Sequence, residues 1–121
     1  MEKEYINIEQ SLALKELGFD EPCIKYYWTD GMFVKGYEDP FNYNKRDNVI
    51  SAPLYQQAFR WFRENHDLCG IVLPFGEGLF DYRIYSAKEG EHLFGSPEFN
   101  TYEEAELDCL NKLIEIVKNS K

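Results

Sequence analysis

The sequence has little of what most metal sites and disulfide frameworks are built from. Its 121 residues include only three cysteines and two histidines. Cys23, Cys69 and Cys109 lie far apart and form no CxxC pair, so we expect reduced, buried thiols. His66 and Cys69 are the only potential metal ligands of this kind that lie close in sequence. Neither a metal nor another cofactor is therefore predicted.

Long apolar runs, proline and glycine are also scarce. The first ten residues, MEKEYINIEQ, are charged, and no apolar run approaches the roughly 20 residues that cross a bilayer. We therefore expect neither a signal peptide nor a membrane partner. Five prolines, eight glycines and an aromatic content of 17% are typical of a folded chain. The length predicts a single domain, residues 1–121, and the thiols predict a cytoplasmic location.

Basic residues are outnumbered, with 13 Lys and Arg against 22 Asp and Glu, which gives a net charge of −9. Such a charge repels phosphate and anionic lipid at long range, so nucleic acid is disfavoured as a partner. It suits a protein that docks on a basic surface, although an ordinary solvated acidic surface would look the same.

The two terminal helices have clear capping signals. Asn7 and Gln10 predict a capping box at the start of the first helix, and Gly18 predicts its end. Thr101 and Glu104 predict a second capping box at the start of the last helix.

A middle helix is predicted to begin at Ser51 or Ala52, with Pro53 in its first turn. Helical spacing places Arg60 and Arg63 together on its outer face, as a small positive spot on a negative protein. The opposite, inward stripe consists of apolar residues: Leu54, Tyr55, Ala58, Phe59, Trp61 and Phe62.

Asp30 and Gly31 separate two runs rich in aromatic and β-branched residues, which predicts a β-hairpin with a two-residue turn. That turn would pair Trp28 with Phe33. Residues 38–52 are rich in Asn, Asp and Pro and are predicted to form a long loop.

The hairpin and the loop provide the candidate ligand-binding residues. Tyr27 and Tyr37 are the rings expected nearest the surface, and Lys45 and Arg46 are the only adjacent basic pair. Together they could stack a planar ligand and neutralise its charge, although core packing is the other use of such rings.

The second half contains three candidate strands. CGIVLPF is nearly continuous in apolar character and predicts a central strand buried on both faces, LFDYRIYSA alternates, and KEGEHLF would add a short third strand. The predicted order is α-β-β-α-β-β-(β)-α, an α+β fold with an antiparallel sheet packed by helices. Its second half has the topology of a double-stranded-RNA-binding domain. The lysines that grip phosphate in such domains are replaced here by TYEEAE, which argues against RNA.

No catalytic set stands out. His66, Asp67 and Cys69 are neighbours in sequence, but adjacency is not triad geometry. With 22 acidic residues, any pair of carboxylates could be nominated. We therefore predict a protein that is not an enzyme.

The segments LALKELGFDEPC, APLYQQAFRWFRE and TYEEAELDCLNKLIEIVK resemble a family of small bacteriophage and prophage proteins of gut and environmental bacteria. The family has no known activity, so the resemblance assigns no functional residue. It implies a small cytoplasmic protein of a bacterial host that acts by binding.

Two functions are predicted. The first is a non-enzymatic phage accessory or counter-defence factor that docks on a basic surface of a host protein. The alternative is a protein that binds or sequesters a nucleotide-like small molecule by aromatic stacking. The candidate binding residues for both are Tyr27, Tyr37, Lys45, Arg46, Arg60 and Arg63. A homo-oligomer is left open.

Overall fold

The structure is a computed structural model that describes residues 4–36 and 39–120. Residue contacts divide the chain into two compact units, unit 1 (Met1–Leu54) and unit 2 (Tyr55–Lys121). The described residues form three α-helices and two three-stranded antiparallel sheets. The predicted α+β class is therefore confirmed, whereas a single domain over residues 1–121 stays a prediction. Each unit is described by itself.

Unit 1 begins with helix α1 (Ile8–Glu16), whose ends are those predicted. Asn7 Oδ1 accepts a hydrogen bond from Gln10 N at 2.7 Å, and Gln10 Oε1 accepts one from Asn7 N at 3.2 Å. Gly18 takes a positive φ of 97°, and Phe19 N donates back to Leu14 O at 2.9 Å. This left-handed turn ends the helix.

The hairpin of unit 1 consists of strands β1 (Lys25–Trp28) and β2 (Phe33–Lys35), and its register differs from the prediction by one residue. Tyr27, not Trp28, lies opposite Phe33, and Trp28 N donates to Met32 O at 2.8 Å. The predicted two-residue turn is therefore wrong. The loop has three residues, and its last residue, Gly31, has a φ of 102°. Three-residue hairpin loops are common and, like two-residue loops, need a residue in the left-handed conformation.

The predicted long loop over residues 38–52 is wrong at its end, because a strand forms there. After a 3₁₀ helix (Tyr43–Lys45), strand β3 (Val49–Ser51) pairs antiparallel with β1 and gives the sheet order β2-β1-β3. All three residues of β3 are buried. A three-residue strand is too short to show a periodic pattern, so no local pattern predicts it.

Unit 2 contains helix α2 (Tyr55–His66), strands β4 (Leu68–Gly76), β5 (Leu79–Ser86) and β6 (His92–Gly95), and helix α3 (Tyr102–Asn119). The sheet order is β4-β5-β6, and both helices contact β4. The helix–three-strand–helix order is the one predicted, and the third short strand is present. A likeness to the RNA-binding domain beyond this order stays a prediction.

Strand β4 corrects the prediction of a central strand buried on both faces. It lies at an edge of the sheet, and β5 is central. Ile71 is 38% exposed and Phe75 is 56% exposed. A continuous apolar run indicates a strand but not its position in the sheet. An edge strand can also be rich in apolar residues when helices cover one of its faces, as α2 and α3 do here.

Helix α2 starts at Tyr55, later than predicted, because Ser51 belongs to β3. Its inward stripe is buried as predicted except for Leu54, which precedes the helix and is 39% exposed. Helix α3 begins at the predicted capping box, with Thr101 Oγ1 accepting from Glu104 N at 3.1 Å. The buried residues of α3 are Ala105, Glu106, Cys109, Leu110, Leu113, Ile114 and Val117.

Candidate ligand-binding site

A cavity of about 360 Å³, called here the hairpin cavity, opens on unit 1. Its walls come from β1, from the end of β2 and from the segment that leads into β3. The volume lies at the lower end of the range of roughly 300 to 1,000 Å³ that small-molecule sites occupy. The lining residues are Tyr26, Trp28, Lys35, Gly36, Tyr43, Arg46, Asp47 and Val49.

Three aromatic rings form one side of the hairpin cavity. Tyr26 and Trp28 are both there because alternate residues of a strand point to the same face. Their ring centroids are 5.8 Å apart with the planes at 77°, and the Tyr43 ring lies 4.5 Å from Tyr26 at 32°. Tyr43 is buried, whereas Trp28 is 41% exposed. The wall therefore combines a fixed ring with one that solvent or a ligand can reach.

Arg46 and Asp47 add charge to these rings, whereas the register places the Lys35 side chain on the Tyr27 face of the sheet. Lys35 and Arg46 are exposed, and neither forms an ion pair with another residue in the described part of the chain. The Arg46 guanidinium lies over the Phe41 ring, 4.8 Å from its centroid, which holds the cation against an aromatic face. Among the lining residues that the structure describes, Asp47 is the one acidic residue.

The side-chain amide of Asn44 holds the 3₁₀ segment that carries Tyr43 and Arg46. Its Nδ2 donates to Phe19 O at 2.9 Å, and its Oδ1 accepts from Ser51 N at 2.8 Å. One side chain thus connects this segment both to the chain after α1 and to strand β3. Both partners are backbone groups, which side-chain substitutions elsewhere do not remove. The two hydrogen bonds that hold the segment therefore depend on the Asn44 amide.

Gly36 lets the Tyr43 ring approach the end of β2. A Cβ at this position would overlap the Tyr43 hydroxyl and ring. No larger residue fits unless Tyr43 moves, so Gly36 is part of the wall because it lacks a side chain.

The structure brings one of the predicted hairpin and loop residues into this cavity. Arg46 lines it, and Lys45 is exposed on the neighbouring turn without lining it. Tyr27 points to the other face of the sheet, where its hydroxyl donates to Ile6 O at 2.9 Å and its ring lies 4.9 Å from Phe33. Tyr37 lies outside the described residues.

Arg60 and Arg63 are both exposed on α2, in the outward orientation predicted from helical phase. Arg63 lines a second cavity, of about 240 Å³, called here the α2–α3 cavity. It lies within unit 2, and Arg60 is not among its lining residues. These are Gln56, Phe59, Arg63, Gly70, Ile71, Val72, Tyr102 and Glu106.

Sequence reasoning missed several lining residues of both cavities. Tyr26 and Trp28 were assigned to the hairpin without being nominated as binding residues, although their alternation in β1 is visible in the sequence. Tyr43 lies in the predicted loop and was missed because its neighbours are polar. Glu106 falls on the buried side of α3, where a carboxylate is not expected.

The sequence neighbours His66, Asp67 and Cys69 do not form a catalytic array. The Asp67 carboxylate accepts hydrogen bonds from Ser86 Oγ at 2.9 Å and from Lys88 N at 2.7 Å. These bonds lower the pKa of Asp67, the one from Ser86 most. The His66 ring lies 4.9 Å from that of Trp61. Asp67 therefore anchors the turn after β5.

Two of the three cysteines are buried in the core. Cys23 and Cys109 are buried, and burial raises the pKa of each to about 12. Such thiols carry almost no thiolate at neutral pH and are weak nucleophiles. Cys69 is only half-buried.

The sequence matches no protein-family model, and comparisons with curated proteins and with solved structures found no similar chain. Within residues 4–36 and 39–120, no group of three His, Cys, Asp or Glu side chains could hold a metal ion. Over the same ranges, no helix has the length and apolar character needed to cross a membrane.

Proposed function

We propose that the protein binds a small planar anion of the nucleotide type in the hairpin cavity. The observation that carries the proposal is that three aromatic rings and the Arg46 side chain line one open cavity of about 360 Å³. This is the predicted small-molecule function, with a different set of residues.

The chemistry of the wall fits the two parts of a nucleotide. The exposed ring of Trp28 and the ring of Tyr26 offer faces on which a base can stack. Arg46 can neutralise a phosphate, and a guanidinium does so through two parallel N–H donors. Asp47 supplies an acceptor for an amino or hydroxyl group of the ligand.

The net charge restricts the ligand to a small one. A nucleic-acid strand would expose many phosphates to a protein of net charge −9, and each phosphate outside the cavity would be repelled. A mononucleotide or dinucleotide can place its one or two phosphates beside Arg46. The cavity thus favours binding or sequestering a nucleotide signal over binding a polymer.

Calorimetric titration with a panel of mononucleotides and cyclic dinucleotides tests the proposal. We expect at least one of them to bind, and Trp28→Ala to weaken that binding by roughly fivefold to a hundredfold, since a stacked base contributes about 1 to 3 kcal/mol. Arg46→Gln should weaken it more at low salt than at high salt. Lys88→Gln removes the same charge from unit 2 and should have no effect.

A panel in which nothing binds at millimolar concentration would contradict the proposal. So would binding that Trp28→Ala and Arg46→Gln leave unchanged, because the ligand would then occupy another place. Near-ultraviolet circular dichroism of both variants checks that they remain folded.

The other predicted function, a counter-defence factor docking on a basic surface of a host protein, is supported by the net charge of −9. It stays a prediction, as do the phage origin, the cytoplasmic location and the absence of enzymatic activity. We place the hairpin cavity first because its residues have a defined geometry, whereas the net charge designates no particular surface.

A further inference from the structure

The wall of the α2–α3 cavity contains the carboxylate of a largely buried side chain, which has no partner among the described residues. Glu106 is 9% exposed and lies on the wall of this cavity. Its side chain forms no hydrogen bond or ion pair with any residue in the described ranges 4–36 and 39–120. Its oxygens are not among the solvent-inaccessible unpaired atoms of these ranges, which are Ser11 Oγ and Ser51 Oγ, so the carboxylate of this largely buried side chain is open to a ligand from the cavity.

Close packing between α3 and β4 produces this burial. A Cβ on Gly70 would lie 2.8 Å from Cys109 Sγ and 3.2 Å from a methyl group of Leu113, so only glycine allows the helix to come this near. Glu106 lies one helical turn before Cys109, on the same buried side of α3, and lines the cavity together with Gly70 and Ile71 of β4. The carboxylate is thus fixed by the backbone, not by a polar contact.

A cation lies in the lining of the same cavity. Arg63 of α2 is exposed, and no ion pair within 4.0 Å joins it to Glu106 or to any other residue of the described part. The cavity therefore presents a carboxylate and a guanidinium that do not neutralise each other. The same lining includes two aromatic rings, Phe59 and Tyr102, and the side chain of Gln56.

We propose that the α2–α3 cavity binds a small zwitterion of the free amino acid type, with its ammonium group on Glu106 and its carboxylate on Arg63. The ammonium would supply the missing counter-charge of Glu106, and the guanidinium fork matches a carboxylate in two hydrogen bonds. The rings of Phe59 and Tyr102 would contact the apolar part of the ligand. The cavity of about 240 Å³ is smaller than the roughly 300 Å³ of the smallest drug-sized sites, which restricts the ligand to this size class.

The ionisation of Glu106 gives the site a pH dependence. Burial, and to a smaller extent the neighbouring Glu103, raises the pKa of Glu106 to about 7. The other charged or titratable groups around it are Tyr102 and Cys109 on α3, which are neutral at this pH, and the guanidinium of Arg63 on α2. An ammonium group requires the ionised carboxylate, so binding releases a proton below pH 7 and is tighter at pH 8 than at pH 6.

The test is a titration of the protein with each free L-amino acid, followed by the amide resonances of Gly70, Ile71 and Val72 in nuclear magnetic resonance spectra. We expect at least one amino acid to shift these resonances. Its N-acetyl derivative and its methyl ester should each bind at least about tenfold more weakly, because each removes one of the two charges.

Variants separate this site from general charge effects. Glu106→Gln keeps the shape of the side chain and should weaken binding about tenfold or more and remove the difference between pH 6 and pH 8. Arg63→Gln should weaken binding of the amino acid but not of its methyl ester. Arg60→Gln removes the same charge from the same helix outside the cavity and should leave the affinity unchanged.

Three results would overturn the proposal. The first is that no amino acid shifts the three resonances at a concentration of about 10 mM, which would detect even millimolar dissociation constants. The second is that Glu106→Gln binds as tightly as the unaltered protein. The third is that the methyl ester binds as well as the free amino acid, which would make the site one for simple amines.

Discussion

At the scale of single residues, the protonation of Glu106 makes stability depend on pH near neutrality. Its pKa is raised from 4.5 to about 7, so the folded protein holds this proton more tightly than the unfolded chain does. Stability therefore falls as the pH rises from 4.5 to 7, because folding then requires a buried charge.

Glu106→Gln is accordingly expected to raise the free energy of unfolding at pH 8 by about 1 kcal/mol, because solvent that reaches the carboxylate screens part of the effect, and to have little effect at pH 4. Urea unfolding at the two pH values measures this difference. Glu89→Gln, at an exposed turn, is the matched control and should show no such pH dependence. An equal gain at both pH values would mean that the effect does not come from ionisation.

Capping residues were the best predicted individual residues. Asn7 and Thr101 accept from the backbone of the third helical residue as the sequence indicated. A cap depends on residues only three positions apart, so local sequence contains all of the information. The unpaired state of Glu106 depends instead on Arg63 and Gly70, which are distant in sequence, and no local pattern could reveal it.

At the scale of elements, the short segment between β2 and β3 decides whether the hairpin cavity exists. Asn44→Ala removes the amide that joins this segment to Phe19 O and Ser51 N. Ser51 is 1% exposed, so its N–H would lose its partner where water cannot easily replace it. We expect a loss of about 1 to 3 kcal/mol in the free energy of unfolding.

Urea unfolding of Asn44→Ala, together with nucleotide titration, tests this expectation. Asn44→Asp is the control that keeps an acceptor for Ser51 N and loses the donor to Phe19 O, so its loss should be smaller. Wild-type stability in Asn44→Ala would show that the segment is held by other contacts.

The hairpin shows how far an element can be predicted from sequence. Asp30 and Gly31 located the turn correctly, because only a few residues tolerate positive φ. Two- and three-residue loops use the same residue types, so the register was off by one. That shift placed Phe33 beside Tyr27 and left Tyr26 and Trp28 together on the face of the cavity.

At the scale of the whole molecule, the open question is whether the two units unfold as one domain, as the length predicts. Unit 1 has 54 residues and unit 2 has 67, and folded chains of roughly this size are marginally stable alone. We therefore expect one cooperative transition for the whole chain.

Trp28 in unit 1 provides the readout once Trp61 is replaced by Phe, since the chain has two tryptophans. Adding Ile84→Val, at a fully buried position of unit 2, should cost about 0.5 to 1.5 kcal/mol. In a single cooperative domain, this change lowers the urea midpoint that Trp28 reports. An unchanged midpoint would show that the units unfold independently.

The sequence by itself determined the fold class, the helix caps, the outward direction of Arg60 and Arg63, and the location of the hairpin turn. Each of these follows from residues within a few positions of one another. Only the tertiary structure decided that β4 is an edge strand, that residues 49–51 form β3, and which rings and charges share a cavity. Those features depend on which distant segments pack together, and close packing between α3 and Gly70 of β4 is what leaves Glu106 buried beside an open cavity.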